Sequence, residues 1–286
     1  MVNMEGRKSR QKQYSNALRS KQGIPQLMGV LNVTPDSFFS GSRVQQLDQA
    51  VHAALRMWDE GATWVDIGGE STRPGAEEVS IEEELGRVIP VIQAIRSTNQ
   101  DGLISIDTRN AETARASILA GADMINDVSG LADPEMSTVI LEFSTPICIM
   151  HMQGTPTSMQ QRVGYTDVVS EVQQFLNNRI QTLLERGHPI NLICVDPGIG
   201  FGKHLEHNIA LLQTALLMEH KEEISTLWGV SRKTMIGELT GQDDPALRLA
   251  GTLAVASYAC QRGIDILRVH DVREHVDFFN VLQALL

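Results

Sequence analysis

The sequence predicts one α/β domain, a (β/α)8 barrel, over residues 25–286. Short apolar runs alternate along this region with longer segments of helical period, which is the order expected of repeated βα units. The runs are rich in Val and Ile and do not alternate with polar residues, as in parallel strands buried on both faces. The chain has 286 residues, and α/β barrels reach about 250 residues as one domain. A doubly wound open sheet is the alternative, although it would not usually need eight parallel strands.

Eight runs are the candidate strands of this TIM barrel, at residues 27–31, 64–67, 103–106, 124–126, 147–150, 192–195, 227–230 and 266–269. Between them, apolar residues recur at a spacing of three or four, which predicts amphipathic helices; one such series is Val44, Leu47, Val51, Leu55 and Trp58. Several predicted helices end on a glycine that leads directly into the next strand, as at Gly61, Gly121 and Gly263. This repeated order favours the barrel.

Composition excludes several classes of partner. The net charge is −11, and phosphate contacts need a basic surface, so we expect no nucleic acid and no anionic membrane as a partner. No apolar run approaches the length of a membrane span. The three cysteines lie in apolar runs without C-x-x-C spacing, which predicts free thiols in a reducing, cytoplasmic environment.

Residues 1–24 form a basic segment, with six Lys or Arg residues and one acidic residue. A targeting arm is one interpretation, but the segment lacks the apolar stretch of a secretory signal. Chain termini are commonly frayed and solvated, so we expect a flexible tail.

Polar side chains follow every predicted strand at its carboxyl end. They are Asn32, Glu70 with Thr72 and Arg73, Asp107, Asn126 with Asp127, His151, Asp196, Ser231 with Lys233, and Arg268 with His270. In a barrel these strand ends meet on one face, where the catalytic residues lie. A single Asp at a strand end is usually a helix cap, but caps do not explain a complete ring. We therefore predict a shared site.

The ring can be divided by its chemistry. Asp107, Asn126 and Asp196 suit the N–H groups of a heterocycle edge, since a carboxylate can accept two parallel hydrogen bonds. Lys233 would offset these acids and donate to a ring carbonyl or nitrogen. A second set suits phosphate oxygens: Asn32, Arg73, Arg268 and His270. The predicted ligand is thus a polar heterocycle joined to a phosphorylated group.

The glycine-rich turn at 196–203, DPGIGFGK, allows a close approach of its backbone to a ligand. Its spacing matches neither a Walker loop nor a dinucleotide fingerprint. The nucleophile and metal motifs G-x-S-x-G, H-E-x-x-H and C-x-x-C are also absent from the sequence. His204, Glu206 and His207 could be read as a metal site, but their position beside a loop favours surface residues.

Eight motifs in order resemble the dihydropteroate synthase family: NVTPDSF (32–38), GGESTRPG (68–75), SIDT (105–108), IND (125–127), MHMQGTP (150–156), DPGIGFGK (196–203), SRK (231–233) and RVHD (268–271). The resemblance extends from about residue 26 to the C-terminus. It implies a transferase of folate biosynthesis that joins 7,8-dihydropterin-6-ylmethyl diphosphate to p-aminobenzoate. The products would be dihydropteroate and pyrophosphate, with Mg²⁺ as cofactor. The resemblance also implies inhibition by sulfonamides and a homodimer, for which the small-residue helix at 246–260 is a candidate surface.

The resemblance assigns the polar residues to three subsites. The pterin would be held by Asp107, Asn126, Asp196, Lys233 and Arg268, the last stacking over its face. The diphosphate would be bound by Asn32, Arg73, Arg268 and His270, with Asn32 also a Mg²⁺ ligand. The p-aminobenzoate pocket would include Thr72, Phe201, Ser231 and Lys233. The implied catalytic residues stabilise departing pyrophosphate and a cationic pterin methylene after early C–O cleavage; they are Lys233, Arg268, His270 and Arg73.

One departure from the family pattern leaves alternatives open. After NVTPDSF the family commonly continues S-D-G-G, whereas this chain has Phe39, Ser40, Gly41 and Ser42. A pterin-binding paralogue with weak or no synthase activity is therefore an alternative. A pterin-dependent methyltransferase is another, disfavoured because its substrate offers no diphosphate to the cationic residues. A Schiff-base role for Lys233, as in barrel aldolases, is the rival to hydrogen bonding.

Overall fold

The computed structural model describes residues 4–34, 43–71, 75–76, 78–155, 157, 159, 163–214 and 222–285. Eight strands within these ranges close into a barrel. They are β1 (Gln26–Asn32), β2 (Trp64–Gly68), β3 (Leu103–Asp107), β4 (Met124–Asp127), β5 (Ile147–Met150), β6 (Ile193–Asp196), β7 (Ser225–Trp228) and β8 (Ile266–Val269). Each strand pairs in parallel with the next, and β8 pairs with β1. The predicted (β/α)8 barrel is confirmed.

Helices precede β1, lie between the strands and follow β8. They are α1 (Met4–Gln11), α2 (Tyr14–Ala17), α3 (Arg43–Asp59), α4 (Ile81–Thr98), α5 (Ala111–Ala120), α6 (Met136–Phe143), α7 (Val168–Glu185), α8 (Leu205–Gln213), α9 (Thr234–Thr240), α10 (Leu249–Gln261) and α11 (Val272–Leu285). Gly121 ends α5 with a φ of +124°, as the helix-end glycines predicted. Among the described helices, none is long and apolar enough to cross a membrane.

One strand lies elsewhere than expected. The apolar run at 227–230 predicted the seventh strand, but β7 begins at Ser225, and Ser225 and Thr226 pair with Cys194 and Val195 of β6. The polar pair was not recognised as strand because hydrophobicity was the signal used. A strand in a closed barrel is defined by its hydrogen-bonded neighbours as well as by its own composition.

The barrel interior has an apolar layer near the amino ends of the strands, with one residue from each strand: Met28, Trp64, Leu103, Met124, Cys148, Cys194, Leu227 and Ile266. Side chains alternate between the two faces of a strand, so residues two positions further along point to the same side. Four polar residues lie two positions after a member of the apolar layer and therefore on the same, inward face: Asp66, Asn126, Asp196 and Arg268. Strand geometry therefore places polar groups directly above an apolar floor.

The amino-terminal segment packs beneath this floor. Its composition predicted a flexible tail over residues 1–24, but Tyr14 and Leu18 are almost fully buried in the same cluster as the apolar layer. The Trp64 indole N–H also donates to the carbonyl of Ala17 at 2.9 Å. Tyr14, Ala17 and Leu18 form an apolar stripe of helical spacing within a basic segment. Net charge masked this short stripe, which explains the difference from the expectation.

A buried carboxylate anchors the same segment. Asp123, fully buried before β4, accepts hydrogen bonds from Arg10 Nε at 2.7 Å and the Tyr14 hydroxyl at 2.8 Å. Its other oxygen accepts from the Arg96 guanidinium and from the amide of Ile104. Two guanidinium groups thus compensate one desolvated charge, so Arg10 of the amino-terminal segment has a structural role.

Candidate active site

Strand register brings the predicted residues together at the carboxyl face of the barrel. Asp107 pairs with Asn126 across β3 and β4, while Gly68 of β2 is paired with both Asn32 and Asp107. A Cβ on Gly68 would lie 3.6 Å from Asn32 Oδ1 and 3.7 Å from Asp107 Oδ2. The missing side chain therefore leaves space beside both polar groups.

A hydrogen-bond network joins four strands at the centre of this face. Arg268 donates from Nε to Asp66 Oδ2 at 2.6 Å and from a terminal nitrogen to Asp107 Oδ2 at 2.8 Å. Asp66 Oδ2 also accepts from Asn126 Nδ2 at 3.0 Å. Because the side-chain amide nitrogen of Asn126 donates to Asp66, the side-chain carbonyl oxygen of Asn126 remains an acceptor for other partners. One guanidinium thus orients two carboxylates, and one carboxylate orients an amide.

The carboxylates of the site are strongly desolvated. Burial raises the pKa of Asp107 to about 7, even though Arg268 acts in the opposite direction. Burial likewise raises the pKa of Asp196 to about 6, against the hydrogen bond from the Gly198 amide and the charge of Lys233. A desolvated carboxylate is stabilised by added N–H donors. Both groups are consequently suited to a ligand edge that carries N–H groups.

Lys233 interacts electrostatically with both Asp196 and Asp107. Burial lowers the pKa of its amino group to about 8, although Asp196 favours the charged form. Its Nζ lies 3.9 Å from the centre of the Phe201 ring, in a cation–π contact. The contact links the segment after β7 to the glycine-rich loop after β6, and the two side chains form one wall of the site.

The glycine-rich loop, residues 197–204, is held from within. The Gly198 amide donates to Asp196 Oδ1 at 2.7 Å, and the Gly200 amide donates to Asn208 Oδ1 at 2.7 Å. Lys203 is buried beneath the loop and contacts His151 at the end of β5. The loop is therefore a supported structure whose backbone is fixed at several points.

Ser231, two residues before Lys233, forms a pair with His270, which follows β8. The Ser231 hydroxyl lies 3.1 Å from His270 Nδ1 and accepts from the His270 amide at 3.2 Å. The surrounding protein and the charge of Arg268 lower the pKa of His270 below its ordinary value. The imidazole, exposed at the rim, is thus a neutral hydrogen-bonding group at pH 7 in the free protein.

Ion pairs hold the segment that follows β2. Arg109 donates to both Glu70 oxygens at 3.0 Å and to Glu78 at 2.6 Å. Arg109 thereby connects Glu70 at the start of the segment with Glu78 near its end, and Glu70 is paired with a cation. Thr72 and Arg73, which the sequence assigned to the site, lie outside the described residues, as does the altered segment around Ser40.

Two other candidates have local roles. Asp127 accepts from the Ser129 amide at 2.8 Å and the Leu131 amide at 2.7 Å, so it caps the turn after β4. His207 Nδ1 accepts from the His204 amide at 3.2 Å at the start of α8. In the described part of the chain, no group of three or more His, Cys, Asp or Glu residues could hold a metal ion.

Two residues of this region were missed from sequence. Asp66 lies within an apolar run, WVDIG, and was read as part of a buried strand. Lys203 was read only as the end of a glycine-rich turn. A signal was available for Asp66, because it follows Trp64 by two residues and so shares its inward face. Lys203 had none, since its partners are three backbone carbonyls and the ring of His151, 52 positions away in the sequence.

A model of the pterin-binding enzyme family matches residues 28–270. The chain therefore belongs to the pterin-binding enzymes, in agreement with the polar ring and the barrel.

Similarity to individual proteins identifies the chain more specifically within the pterin-binding enzymes. The chain is 46% identical over 263 residues to dihydropteroate synthase of Escherichia coli K12, with 92% of both chains covered. It resembles the structure of Xanthomonas albilineans dihydropteroate synthase with 4-aminobenzoic acid, at 43% identity, a TM-score of 0.84 and coverage of 92% and 93%. A Yersinia pestis dihydropteroate synthase solved with a sulfonamide drug also has 43% identity and a TM-score of 0.84, covering 93% and 95%. Among the pterin-binding enzymes, the chain belongs to the dihydropteroate synthases, which are transferases.

Proposed function

We propose that the rim of residues 25–286 joins 7,8-dihydropterin-6-ylmethyl diphosphate to p-aminobenzoate, with release of pyrophosphate. The observation that carries this proposal is the network of Asp66, Asp107, Asn126 and Arg268 beside the buried carboxylate of Asp196. These groups offer several acceptors and one cationic plane within a single cavity face, which suits a flat heterocycle with N–H groups.

The pterin is proposed to bind at the centre of the barrel. Asp107 and Asp196 accept ring N–H groups, which compensates the desolvation that raises the pKa of both. Asn126 accepts through its free carbonyl oxygen, Lys233 donates to a ring acceptor, and the guanidinium of Arg268 stacks on the ring. Binding at pH 7 would lower both carboxyl pKa values, because added donors favour the ionised form.

The diphosphate is proposed to lie towards β1 and β8. Asn32, Arg268 and His270 supply hydrogen bonds from the described part of this face, and Arg73 is assigned to the same subsite by the sequence motif. The neutral imidazole of His270 would donate a hydrogen bond to a phosphate oxygen. An anion there would also raise its pKa and favour the imidazolium.

Mg²⁺ fits this subsite as a partner of the diphosphate. Asn32 offers an amide oxygen beside the space left by Gly68, and Mg²⁺ prefers oxygen ligands shared with substrate phosphates. Asn32 is therefore the proposed protein ligand, with diphosphate oxygens and water completing the coordination. When bound, the ion would neutralise part of the charge on the leaving group.

The reaction is proposed to proceed by C–O cleavage ahead of amine attack. Asp107 and Asp196 stabilise positive charge as it spreads from the methylene into the pterin, while Arg268 and His270 stabilise the departing pyrophosphate. No residue needs to form a covalent bond, so Lys233 acts as a hydrogen-bond donor and electrostatic group. A Schiff base at Lys233 would instead be trapped by borohydride in the presence of the pterin substrate.

The p-aminobenzoate pocket is proposed along the wall of Phe201 and Lys233, with Ser231 near the carboxylate and Thr72 on the facing loop. The X. albilineans relative was solved with 4-aminobenzoic acid and the Y. pestis relative with a sulfonamide drug. We expect sulfonamides to compete with p-aminobenzoate here. Insensitivity of the purified enzyme to them would contradict this assignment.

Pyrophosphate release with and without p-aminobenzoate tests the complete proposal. Release coupled to dihydropteroate supports it, whereas tight binding of the pterin diphosphate without turnover would indicate the weak paralogue. Asp196→Ala should abolish pterin binding, and His270→Ala should mainly weaken binding of the diphosphate. If both variants behaved as the parent, the assignment of the rim would be wrong.

A cytoplasmic homodimer is proposed as the working state. The thiols of Cys148 and Cys194 are free and buried on neighbouring strands, which suits a reducing compartment. Helix α10 is rich in small residues, and Leu239 and Leu247 near it are 57% and 63% exposed. Sedimentation equilibrium of the parent and of Leu247→Glu tests this surface, since loss of the dimer is expected only in the variant.

A further inference from the structure

The glycine-rich loop is organised around the amino group of Lys203, which the proposed function does not use. Lys203 is 3% exposed. Its Nζ lies 3.0 Å from the carbonyl oxygens of Gly198 and Phe201 and 3.2 Å from that of His151. We propose that Lys203 is a positioning residue for p-aminobenzoate, holding the loop so that Phe201 and Lys233 form the pocket wall. The inference rests on the proposed function of that wall.

The hydrogen-bond chemistry of this contact requires a group with several N–H donors, which a lysine amino group supplies. Besides the three carbonyls, Nζ lies 3.0 Å from His151 Nδ1. An amino group offers at most three N–H donors to these four partners, and burial lowers the pKa of Lys203 to about 7. Burial and the nearby Lys203 charge lower the pKa of His151 to about 3, in agreement with a neutral ring. A methyl or thioether group in place of the ammonium would leave the buried carbonyls without a donor.

The loop has little freedom to find other partners. Gly198 has a φ of +70°, and a Cβ on it would lie 1.9 Å from the carbonyl oxygen of His151. A Cβ on Gly202 would lie 2.8 Å from the carbonyl oxygen of Gln153. Since the loop backbone lies directly on the segment after β5, Lys203 connects two strand ends through one amino group. Its loss would remove the side-chain hydrogen bonds between the loop and His151.

Loss of Lys203 should affect the binding of the two substrates to different extents. Lys203 holds the carbonyl of Phe201, whose ring supports Lys233 at 3.9 Å. The Lys233 Cδ atom also lies 3.3 Å from the position of a Cβ on Gly200, so the lysine rests on the loop. The pterin carboxylates and Arg268, by contrast, belong to strands. Displacement of the loop should therefore disturb p-aminobenzoate more than the pterin.

Lys203→Met tests the inference because it keeps an unbranched side chain and removes every N–H donor. With saturating pterin diphosphate and Mg²⁺, we expect the KM for p-aminobenzoate to rise about tenfold or more, since buried acceptors lose their donor. The KM for the pterin diphosphate should change less than about threefold, because Asp107, Asn126, Asp196 and Arg268 lie on strands. Hydrogen exchange should accelerate in residues 197–204 and remain unchanged in β3 and β4. Lys12→Met, which removes an exposed lysine, is the matched control and should leave both KM values unchanged.

Two results would overturn the proposal: a fall in kcat with both KM values unchanged, as expected of a smaller folded fraction, or equal rises in the two KM values. If Lys203→Met does not fold, Lys203→Gln is used instead, because its neutral amide keeps two N–H donors. The same comparison then applies, between the change in KM for p-aminobenzoate and the change in KM for the pterin diphosphate. Failure of the parent enzyme to form dihydropteroate would refute the proposed function instead.

Discussion

Asp66→Asn is the substitution most informative about the pterin site. Asp66 is fully buried, and its Oδ2 accepts from Arg268 at 2.6 Å and Asn126 at 3.0 Å. A hydrogen bond to a charged group contributes about 1.5–3 kcal/mol, and Asn retains one acceptor oxygen without the charge. Arg268 also keeps its bond to Asp107 at 2.8 Å, which limits the loss. We therefore expect pterin affinity to fall by about 2 kcal/mol, or about 30-fold in Kd.

The assay is calorimetric titration with the pterin diphosphate in the absence of p-aminobenzoate. Asp123→Asn is the matched control, because Asp123 is equally buried and bound to Arg10 and Arg96 at the opposite end of the barrel. The control should lower the melting temperature and leave pterin affinity unchanged. The reasoning about the network would be refuted by a folded Asp66→Asn protein that binds pterin as tightly as the parent.

Three further outcomes follow from buried polar groups elsewhere. Burial raises the pKa of Asp196 to about 6, so ionisation of this carboxyl lowers the stability of the protein as pH rises from about 4 to 6. Asp196→Asn should therefore raise the melting temperature at pH 7.5 while abolishing pterin binding. A lower melting temperature would contradict this. Tyr14→Phe loses the bond to Asp123 and should reduce the free energy of unfolding by about 1–2 kcal/mol, measured in urea, with kcat unchanged; an altered kcat would show coupling to the site. Burial lowers the pKa of His188 to about 4, so the unfolded state gains protons and stability falls as pH drops from about 6.5 to 4. His188→Leu should flatten that part of the stability curve, and an unchanged slope would exclude His188 as its source.

The site was predictable where the signal was local. Asp107, Asn126 and Asp196 end apolar runs, so their position at one face follows from parallel strands alone. Asp66 was missed although it shares their inward face, because an acid inside an apolar run was read only as part of the strand. The lowered pKa of His270 could not be predicted either, since it depends on Arg268 and on the surrounding protein.

The sequence by itself determined the eight βα units and the polar residue at the end of each strand. Strand and helix periods are local, and alternation along a strand assigns each side chain to a face without knowledge of distant residues. Only the tertiary structure decided which charges became partners. Arg268 meets Asp66 across 202 positions of sequence because barrel closure sets β8 against β1, which pairs with β2. Closure of the barrel also creates the apolar layer at the amino ends of the strands, which the amino-terminal helices cover. Charged side chains buried in this closed structure lose their hydration, so they must pair with opposite charges that the composition alone does not identify.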